Sequence, residues 1–445
     1  MKWFKRLLIA LAVLLAIAAA LPFLVSLNDY IPRIEQEVSA RLKEPVSIKS
    51  IRFTALPLPH VAVAGITIGK ADDIRLGTVT VTPYLSSLLQ STRVIRSIEI
   101  DSPVLTRKGI DAIAALVKSE SARAPQQPPP VRVESIALSN VVVMLDKASF
   151  GPFDAGVRLD STGAPEDASV KSQDGKFEAL IKLDNSKYLI DAKAKAWTLP
   201  AGPALVFDEL TIKGVATQND ATLDQISARL YGGTASGKMA INWKAGLRVE
   251  GNLELSRLEL QEVAAMLSPG TRVSGKLDAR PVFSAAPVAA DQMMKTFRLQ
   301  TPFNIQNGAL HGVDIQNAAT SLIKQGSTGG ETRFEHLSGH LLVEHGSHHF
   351  TELKIASGAL AADGRVSVSP KKELSGRINA QIKAVGTSAN VPLNVGGTVG
   401  APLLYPTGAA MAGAAVGTVL LGPGFGTSMG AKVGNWAERV FDKKR

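Results

Sequence analysis

The chain has 445 residues, of which 45% are hydrophobic and 20% charged, and this composition excludes a disordered chain. It contains no cysteine, which excludes a disulfide framework, a thiolate metal site and a cysteine nucleophile. Its 49 basic and 39 acidic residues give a formal charge of +10. These charges are dispersed without interleaved aromatics, so the sequence favours anionic membrane surfaces and not nucleic acid as a partner.

The first predicted element is a transmembrane helix over Leu7–Leu27. Its 21 residues include no charge and match the length that a helix needs to cross about 30 Å of hydrocarbon. Thirteen of them are Leu, Ile, Val or Phe, which favours insertion by about 4–8 kcal/mol. Lys2, Lys5 and Arg6 precede the segment, so the positive-inside rule predicts that everything beyond Leu27 is exported.

A cleavable signal peptide is the alternative for this segment. Ala18, Ala19 and Ala20 supply a small-residue cleavage site after a short apolar run. The run continues through Phe23 to Leu27, which a cleaved precursor does not need, and this favours the anchor. We therefore expect a single-pass protein of the inner membrane with most of its chain in the periplasm.

An amphipathic helix and then β-strands follow the anchor. Helical spacing of apolar residues ends at Pro45, and from Val46 onward the apolar period falls to two, which predicts strands. A second helical stretch is predicted over residues 110–118, and a proline cluster at 125–130 predicts an extended linker. The apolar positions of the first helix are Ile31, Ile34, Val38 and Leu42.

A recurrent unit beyond the linker predicts a meander of antiparallel strands. Each unit is a glycine followed by apolar residues two and four positions later, although chance in a glycine-rich β chain is an alternative explanation. The predicted helices, at 31–42, 110–118, 258–267 and 313–324, are too few to cover the apolar strand faces. These faces must therefore meet each other in a sandwich or barrel, or face lipid. The glycines of the unit are Gly237, Gly251, Gly275, Gly339, Gly364 and Gly376.

Three patterns resemble enzyme motifs but fail on their context. Gly232–Lys238 and Gly270–Lys276 have the spacing of a phosphate-binding loop, but Met239 and Leu277 replace the required Ser or Thr. Gly426–Gly430 fits a hydrolase nucleophile elbow, but nearby proline and glycine residues disrupt the strand that should precede it. The sequence therefore predicts no enzyme and no cofactor.

Five of the seven histidines lie close together, and imidazole clusters can bind zinc or copper. A solvated hairpin is the favoured interpretation, because alternate residues of a strand face opposite sides. His348 and His349 therefore cannot both point inward without a bulge. We predict no metal site among these histidines, which are His336, His340, His345, His348 and His349.

The last part of the chain is rich in small residues, and no charge occurs between Lys383 and Lys432. Several glycines stand at the four-residue interval that lets membrane helices approach closely, although Pro423 interrupts the apolar run. Two interpretations stay open: a packed tail, or a tail that dips into a membrane with Trp436 and the basic C-terminus at the interface.

The pattern of the whole chain resembles the AsmA-like proteins of the Gram-negative envelope. The anchor, the helix, Pro45–Gly69 and Val79–Val104 resemble the family's N-terminal chorein-like region. Further similar segments are LYGGTASG within Arg229–Gly237, PFNIQNGALHGVDIQN at Pro302–Asn317, Phe334–Val368, and GGTVGAPLLYP at Gly396–Pro406.

This resemblance implies a mainly β fold, in which an N-terminal transmembrane helix precedes a long, curved antiparallel β-sheet groove with a few short helices. It also implies carriage of phospholipid between the inner and outer membranes, or support of outer-membrane homeostasis, with acyl chains, the inner membrane and an outer-membrane component as partners. An assembly factor or chaperone-like protein for outer-membrane proteins is the alternative. The candidate groove residues are Leu253, Leu255, Leu277, Val366, Val368 and Ile378.

The expected domain organisation has five parts. They are an anchor at 1–27, a chorein-like β region with short helices at 28–124, a proline-rich linker at 125–130, a repetitive β-meander groove at 131–400, and a glycine-rich uncharged tail with a basic end at 401–445.

Overall fold

A computed structural model describes residues 27–408, except for residues 57, 91, 111, 114–130, 146–147, 185–186, 201–203, 268–272, 287–292, 321–328, 359 and 385–386. The chain divides into two compact units. Unit 1 comprises Met1–Ala194 and Pro200–Gly202, and unit 2 comprises Lys195–Leu199 and Pro203–Arg445. Both units are mainly β-structure, as the sequence predicts.

The predicted anchor lies outside the described residues, except for Leu27. No helix in the described part of the chain is both long and apolar enough to cross a membrane. The predicted linker and almost all of the predicted tail also lie outside the described part, and the domain boundaries stay predictions.

Unit 1 begins with a short 3₁₀ turn at Leu27–Tyr30 and helix α1 at Ile31–Leu42, which confirms the predicted amphipathic helix. The strands of unit 1 are β1 Val46–Thr54, β2 His60–Ile68, β3 Ile74–Pro83, β4 Arg93–Asp101, β5 Val104–Thr106, β6 Val131–Val133, β7 Ser135–Leu145, β8 Ala148–Leu159, β9 Pro165–Ser172, β10 Phe177–Asp184 and β11 Lys187–Thr198, whose last residues belong to unit 2. A second 3₁₀ turn, Leu85–Leu89, joins β3 to β4.

Strand pairing in unit 1 is antiparallel from β1 to β4 and again from β7 to β11. Between these runs, β4 pairs in parallel with β6 and β7, and β5 pairs in parallel with β7. The prediction of a wholly antiparallel sheet is therefore wrong here. Parallel neighbours require a crossover of a dozen or more residues, and the connection from Thr106 to Val131 supplies one. Residues 107–110 and 112–113 of this connection are helical, close to the predicted stretch.

Helix α1 covers the apolar side of the first strands and also closes the edge of β1. Its apolar side chains pack against Val46, Ile48 and Ile51. Three polar side chains accept hydrogen bonds from backbone N–H groups along β1: Ser39 from Val46 (3.0 Å), Glu35 from Ile48 (2.7 Å) and Asn28 from Ile51 (2.9 Å). Donors that an edge strand would otherwise expose are thereby satisfied within the chain.

Unit 2 is an antiparallel meander, as predicted. Strand β15 pairs with both β16 and β17, these two pair with β18, and the remaining strands pair in chain order. The strands are β12 Val206–Ala216, β13 Asp220–Leu230, β14 Gly233–Asn242, β15 Arg248–Glu259, β16 Val273–Ala279, β17 Val282–Ala285, β18 Arg298–His311, β19 Glu331–Glu344, β20 Ser347–Ser357, β21 Leu360–Val368, β22 Leu374–Ala384, β23 Thr387–Thr398 and β24 Ala401–Pro406.

Three short helices accompany this sheet: α2 at Leu260–Leu267, α3 at Met293–Thr296 and α4 at Ile315–Thr320. Helices α2 and α4 fall within the predicted stretches at 258–267 and 313–324. In α4, Ile315 and Ala318 pack against a cluster that includes Ala380 and Leu393, both with no exposed surface. Ala380 and Leu393 are the least exposed hydrophobic residues in the described part of unit 2.

Candidate functional site: the apolar inner face

The two faces of the unit 2 sheet differ sharply in polarity. Cross-strand register aligns one continuous apolar row, and we call the face that carries it the inner face. The row runs Leu258, Leu277, Ile305, Leu337, Ile355, Ala362, Ala380 and Val391. The corresponding row on the outer face runs Asp278, Asn304, Ser338, Lys354, Asp363 and Asn379.

Unit 1 has an inner face of the same kind. A row of register partners runs Ile51, Val63, Val79, Ile100, Leu138, Ala155, Val170, Ala179 and Ala192. The row continues without a charged residue through the parallel pairing of β4 with β7. The irregular topology of unit 1 therefore leaves its apolar face intact.

The glycines of the recurrent unit all lie on the inner face of unit 2. They stand opposite large side chains: Gly364 pairs with Ile378 and Gly251 with Phe283. A Cβ atom at Gly251 would lie 2.8 Å from the ring of Phe283, which is closer than real contacts allow. Glycine therefore makes room for a bulky partner on the same face, which explains why glycine occupies the first position of the recurrent unit.

The inner face of unit 2 has a covered half and an accessible half. The helix rim is the side with α2, α4 and the turns at residues 231–232 and 358. The hairpin rim is the opposite side, with α3 and the turns at residues 217–219, 243–247, 345–346, 369–373 and 399–400. Near the helix rim, residues such as Leu258, Phe334 and Leu360 are buried. Near the hairpin rim the small inner residues Ala221 and Ala285 are buried, but the large inner side chains are partly exposed. The large residues are Met239, Ile241, Val249, Phe283, Leu299, Val343, Val368 and Leu374.

All six predicted groove residues lie on the inner face. Leu253, Leu255, Val366 and Val368 are partly exposed and border its accessible half. Leu277 is also partly exposed, but it packs against the buried cluster of Ile305, Phe334 and Leu337. Ile378 is only 8% exposed and lies in the cluster under α4. The structure thus brings the six together on one face, and their contact with lipid stays a prediction.

His348 is the one ionisable side chain on the inner face of the described residues of β13–β24. Its register partners are Val343 and Val368, and its Nδ1 atom is buried without a hydrogen-bond partner. Burial is the main cause that lowers the pKa of His348, and the neighbouring charge of His349 adds to it. The strand alternation could have singled out this residue, because it shares parity with Phe350 on an apolar face.

The other clustered histidines do not converge with His348. His340 lies on the outer face with its Nδ1 3.4 Å from Glu352, and His349 lies on the outer face with its Nδ1 3.0 Å from Ser367 Oγ. His336 also faces outward, and His345 lies in the turn. Within the described part of the chain, no group of three or more His, Asp or Glu side chains could hold a metal ion.

The phosphate-loop-like segments form strands where that motif needs a helix. Lys238 lies within β14 and Lys276 within β16. A depression of about 550 Å³ near Lys238 is lined mainly by outward-facing residues of mixed charge, including Glu250 and Arg298. The segment resembling a nucleophile elbow lies outside the described residues.

Comparisons with known proteins bear on the first part of the chain. The model of the AsmA family matches residues 2–196. No curated protein and no solved structure matches the chain significantly. The family match and the mainly β fold agree with the resemblance that the sequence suggests, and the part of the chain over residues 2–196 is AsmA-like.

Proposed function

We propose that this protein holds phospholipid acyl chains on the inner face of its sheet and carries them between the inner and outer membranes. The observation that carries the proposal is the inner face of β13–β24, whose described residues include no Asp, Glu, Lys or Arg and only His348 as an ionisable group. Such a face is apolar over many strands, and its hairpin-rim half is accessible.

The energetics of lipid transfer explain why a continuous apolar face matters. Drawing an acyl chain of about 16 methylenes into water costs on the order of 13 kcal/mol, at about 0.8 kcal/mol per methylene. Leu, Ile, Val and Phe side chains along successive strands can replace the membrane interior at each step. Because the lipid is moved and not changed, the proposal requires no catalytic group.

The proposed location is the inner membrane, with Leu7–Leu27 as a single anchor and the rest of the chain in the periplasm. Sequence supports this placement through the apolar segment and the preceding Lys2, Lys5 and Arg6. The match of residues 2–196 to the AsmA family model agrees with an envelope role.

The edges of the sheets disfavour one way of binding unfolded polypeptide, which is addition of a client strand to the sheet. A chaperone that adds a client strand to its sheet needs free backbone donors along an edge strand. At β24, Thr407 N–H donates to Pro392 O (3.1 Å), so the backbone groups of every second residue point toward β23. The backbone groups of the residues between them, Pro402, Leu404 and Pro406, point toward the free edge. Two of these three positions are proline and have no N–H. Side chains of α1 and of the preceding 3₁₀ turn accept hydrogen bonds from three backbone N–H groups along the edge of β1.

Extraction of the purified full chain tests the proposal. We expect phospholipid to copurify in molar amounts comparable with the protein and to decrease sharply in Leu253→Glu. The matched control is Asn252→Glu, which adds the same charge one residue away on the exposed outer face. Bound polypeptide without phospholipid would favour the assembly-factor function, and equal lipid in both variants would contradict carriage on the inner face.

A further inference from the structure

The described residues of the two rims of the unit 2 sheet have opposite net charge. We compared the turn residues at each rim together with one residue on either side, over the described residues between β12 and β24. The hairpin rim has more basic than acidic residues: Lys244, Arg248, Lys295, Arg298, Lys371 and Lys372 against Asp220, Glu344 and Glu373. The described residues of the helix rim include no Lys or Arg, and the acidic ones are Glu259, Glu262, Asp314 and Glu331.

The basic residues of the hairpin rim are available to a ligand. All six are exposed, and Arg298 is 4.0 Å from Glu344. The lysines lie at three places along the rim: Lys244 in the β14–β15 turn, Lys295 in α3, and Lys371 and Lys372 in the β21–β22 turn. The β19–β20 turn, which lies between α3 and the β21–β22 turn, has no lysine. Positive charge is therefore spread along the sheet, parallel to the direction in which the strands stack.

An aromatic residue at the same rim has the character of a membrane-interface side chain. Trp243 is 43% exposed, and its Nε1 donates a hydrogen bond to Gln218 O (2.8 Å). A tryptophan with one satisfied polar group and one exposed apolar surface suits the boundary between hydrocarbon and headgroups. Lys244 is the next residue in the sequence.

Polarity increases in order from the inner face to the hairpin rim. The partly exposed apolar residues come first, and His348 with its unpartnered Nδ1 lies among those nearest the rim, in register with Val343 and Val368. The exposed lysines and arginines of the rim follow. A phospholipid has the same order of chemistry, from acyl chains through ester groups to a phosphate. The helix rim offers no such order, because α2 and α4 pack onto the inner face there and the nearby charges are acidic.

We propose that phospholipids bind unit 2 in one orientation, with their acyl chains on the accessible half of the inner face and their phosphate groups along the hairpin rim. This inference rests on the proposed function and adds the side of the sheet on which the headgroups lie. Lys244 and Lys371 attract the phosphates of separate lipids, because the six strand positions between their turns, of which β16 and β17 share one, span about 29 Å at about 4.8 Å per strand. His348 contacts the polar groups between the phosphate and the acyl chains of a lipid near Lys371. The ligand class is accordingly an anionic phospholipid, not an uncharged lipid with the same chains.

Two lipids with identical acyl chains test this orientation. Binding of phosphatidylglycerol and of diacylglycerol to the full-length protein in detergent is measured for three proteins at low salt. These are the wild type, the rim variant Lys244→Glu/Lys371→Glu, and the control Lys238→Glu/Lys354→Glu, which makes the same charge change on the exposed outer face. Thermal melting of each protein checks folding, and Lys371→Gln alone provides a milder variant.

We expect the wild type to prefer phosphatidylglycerol and the rim variant to lose affinity for it by about tenfold or more. At each headgroup the loss of one lysine costs about fivefold, and the glutamate that replaces it adds repulsion. Diacylglycerol binding should not change in any protein, and Lys371→Gln should lose about fivefold for phosphatidylglycerol only. Equal losses in the rim variant and the control, or no preference in the wild type, would overturn the orientation while leaving acyl-chain binding intact. Failure of the wild type to bind either lipid would instead overturn the proposed function.

Discussion

Replacement of Leu253 by glutamate distinguishes between two interpretations of the inner face, an accessible apolar surface and a closed core. Leu253 is partly exposed on the inner face, where its register partner is Gly237. Full burial of a leucine is worth about 2 kcal/mol, so loss of the partly buried side chain should cost about 1 kcal/mol. A carboxylate at an accessible position keeps its water, and we expect a total loss of about 1–2 kcal/mol in the free energy of unfolding.

Ile378→Glu provides the contrasting case on the same face. Ile378 is 8% exposed and packs in the cluster under α4 with Ala380 and Leu393. Removal of the buried aliphatic side chain costs about 2–5 kcal/mol in the free energy of unfolding. The change also places a carboxylate without a partner among apolar groups, which is a further cost. The sum approaches the whole stability of a typical domain, about 5–15 kcal/mol, so we expect this variant not to fold.

Thermal melting and the amount of bound phospholipid should be measured together for both variants and for the control Asn252→Glu. We expect Asn252→Glu to match the wild type in both, Leu253→Glu to melt slightly earlier with little lipid, and Ile378→Glu to yield no cooperative melt. If Leu253→Glu unfolds as completely as Ile378→Glu, the inner face is a sealed core and the reasoning is refuted.

Three further predictions concern the anchor, the topology and His348. The mature protein should retain residues 1–27, as determined by its mass after membrane extraction, and a start near Leu21 would show cleavage. A reporter fused after Arg445 should be exported, whereas cytoplasmic activity would place the C-terminus on the inner side. The lowered pKa of His348 means that the unfolded chain binds its proton more readily, so stability should fall as the pH drops below about 6.5. His348→Leu should reduce the shift in melting temperature between about pH 7.5 and 5.5, and an unchanged shift would contradict this assignment.

Alternation of apolar residues was enough to predict the inner face. In strands such as β15 and β21, the period of two places Leu253, Leu255, Val366 and Val368 on one side whatever the neighbouring strands are. The helix at Ile31–Leu42 could also be predicted, because its apolar spacing and the proline that follows are local signals.

Features that depend on distant contacts could not be predicted in the same way. Ile378 has the same alternation as Val366, but only the packing of α4 decides that it is buried. The parallel pairing of β4 with β7 depends on a crossover whose strands carry the same local pattern as an antiparallel pair. Glu35 could not be recognised as the acceptor for Ile48 N–H, because the contact spans 13 residues between a helix and an edge strand.

Site-specific photo-crosslinking in cells tests lipid carriage on the inner face most directly. A photoreactive amino acid is placed at Leu253 or Val366 on the inner face, and at Asn252 on the outer face of the same strand as Leu253. We predict crosslinks to phospholipid at Leu253 and Val366 and none at Asn252, with equal amounts of each protein in the membrane. Equal crosslinking on the two faces, or crosslinks only to protein at Leu253 and Val366, would contradict the proposed function.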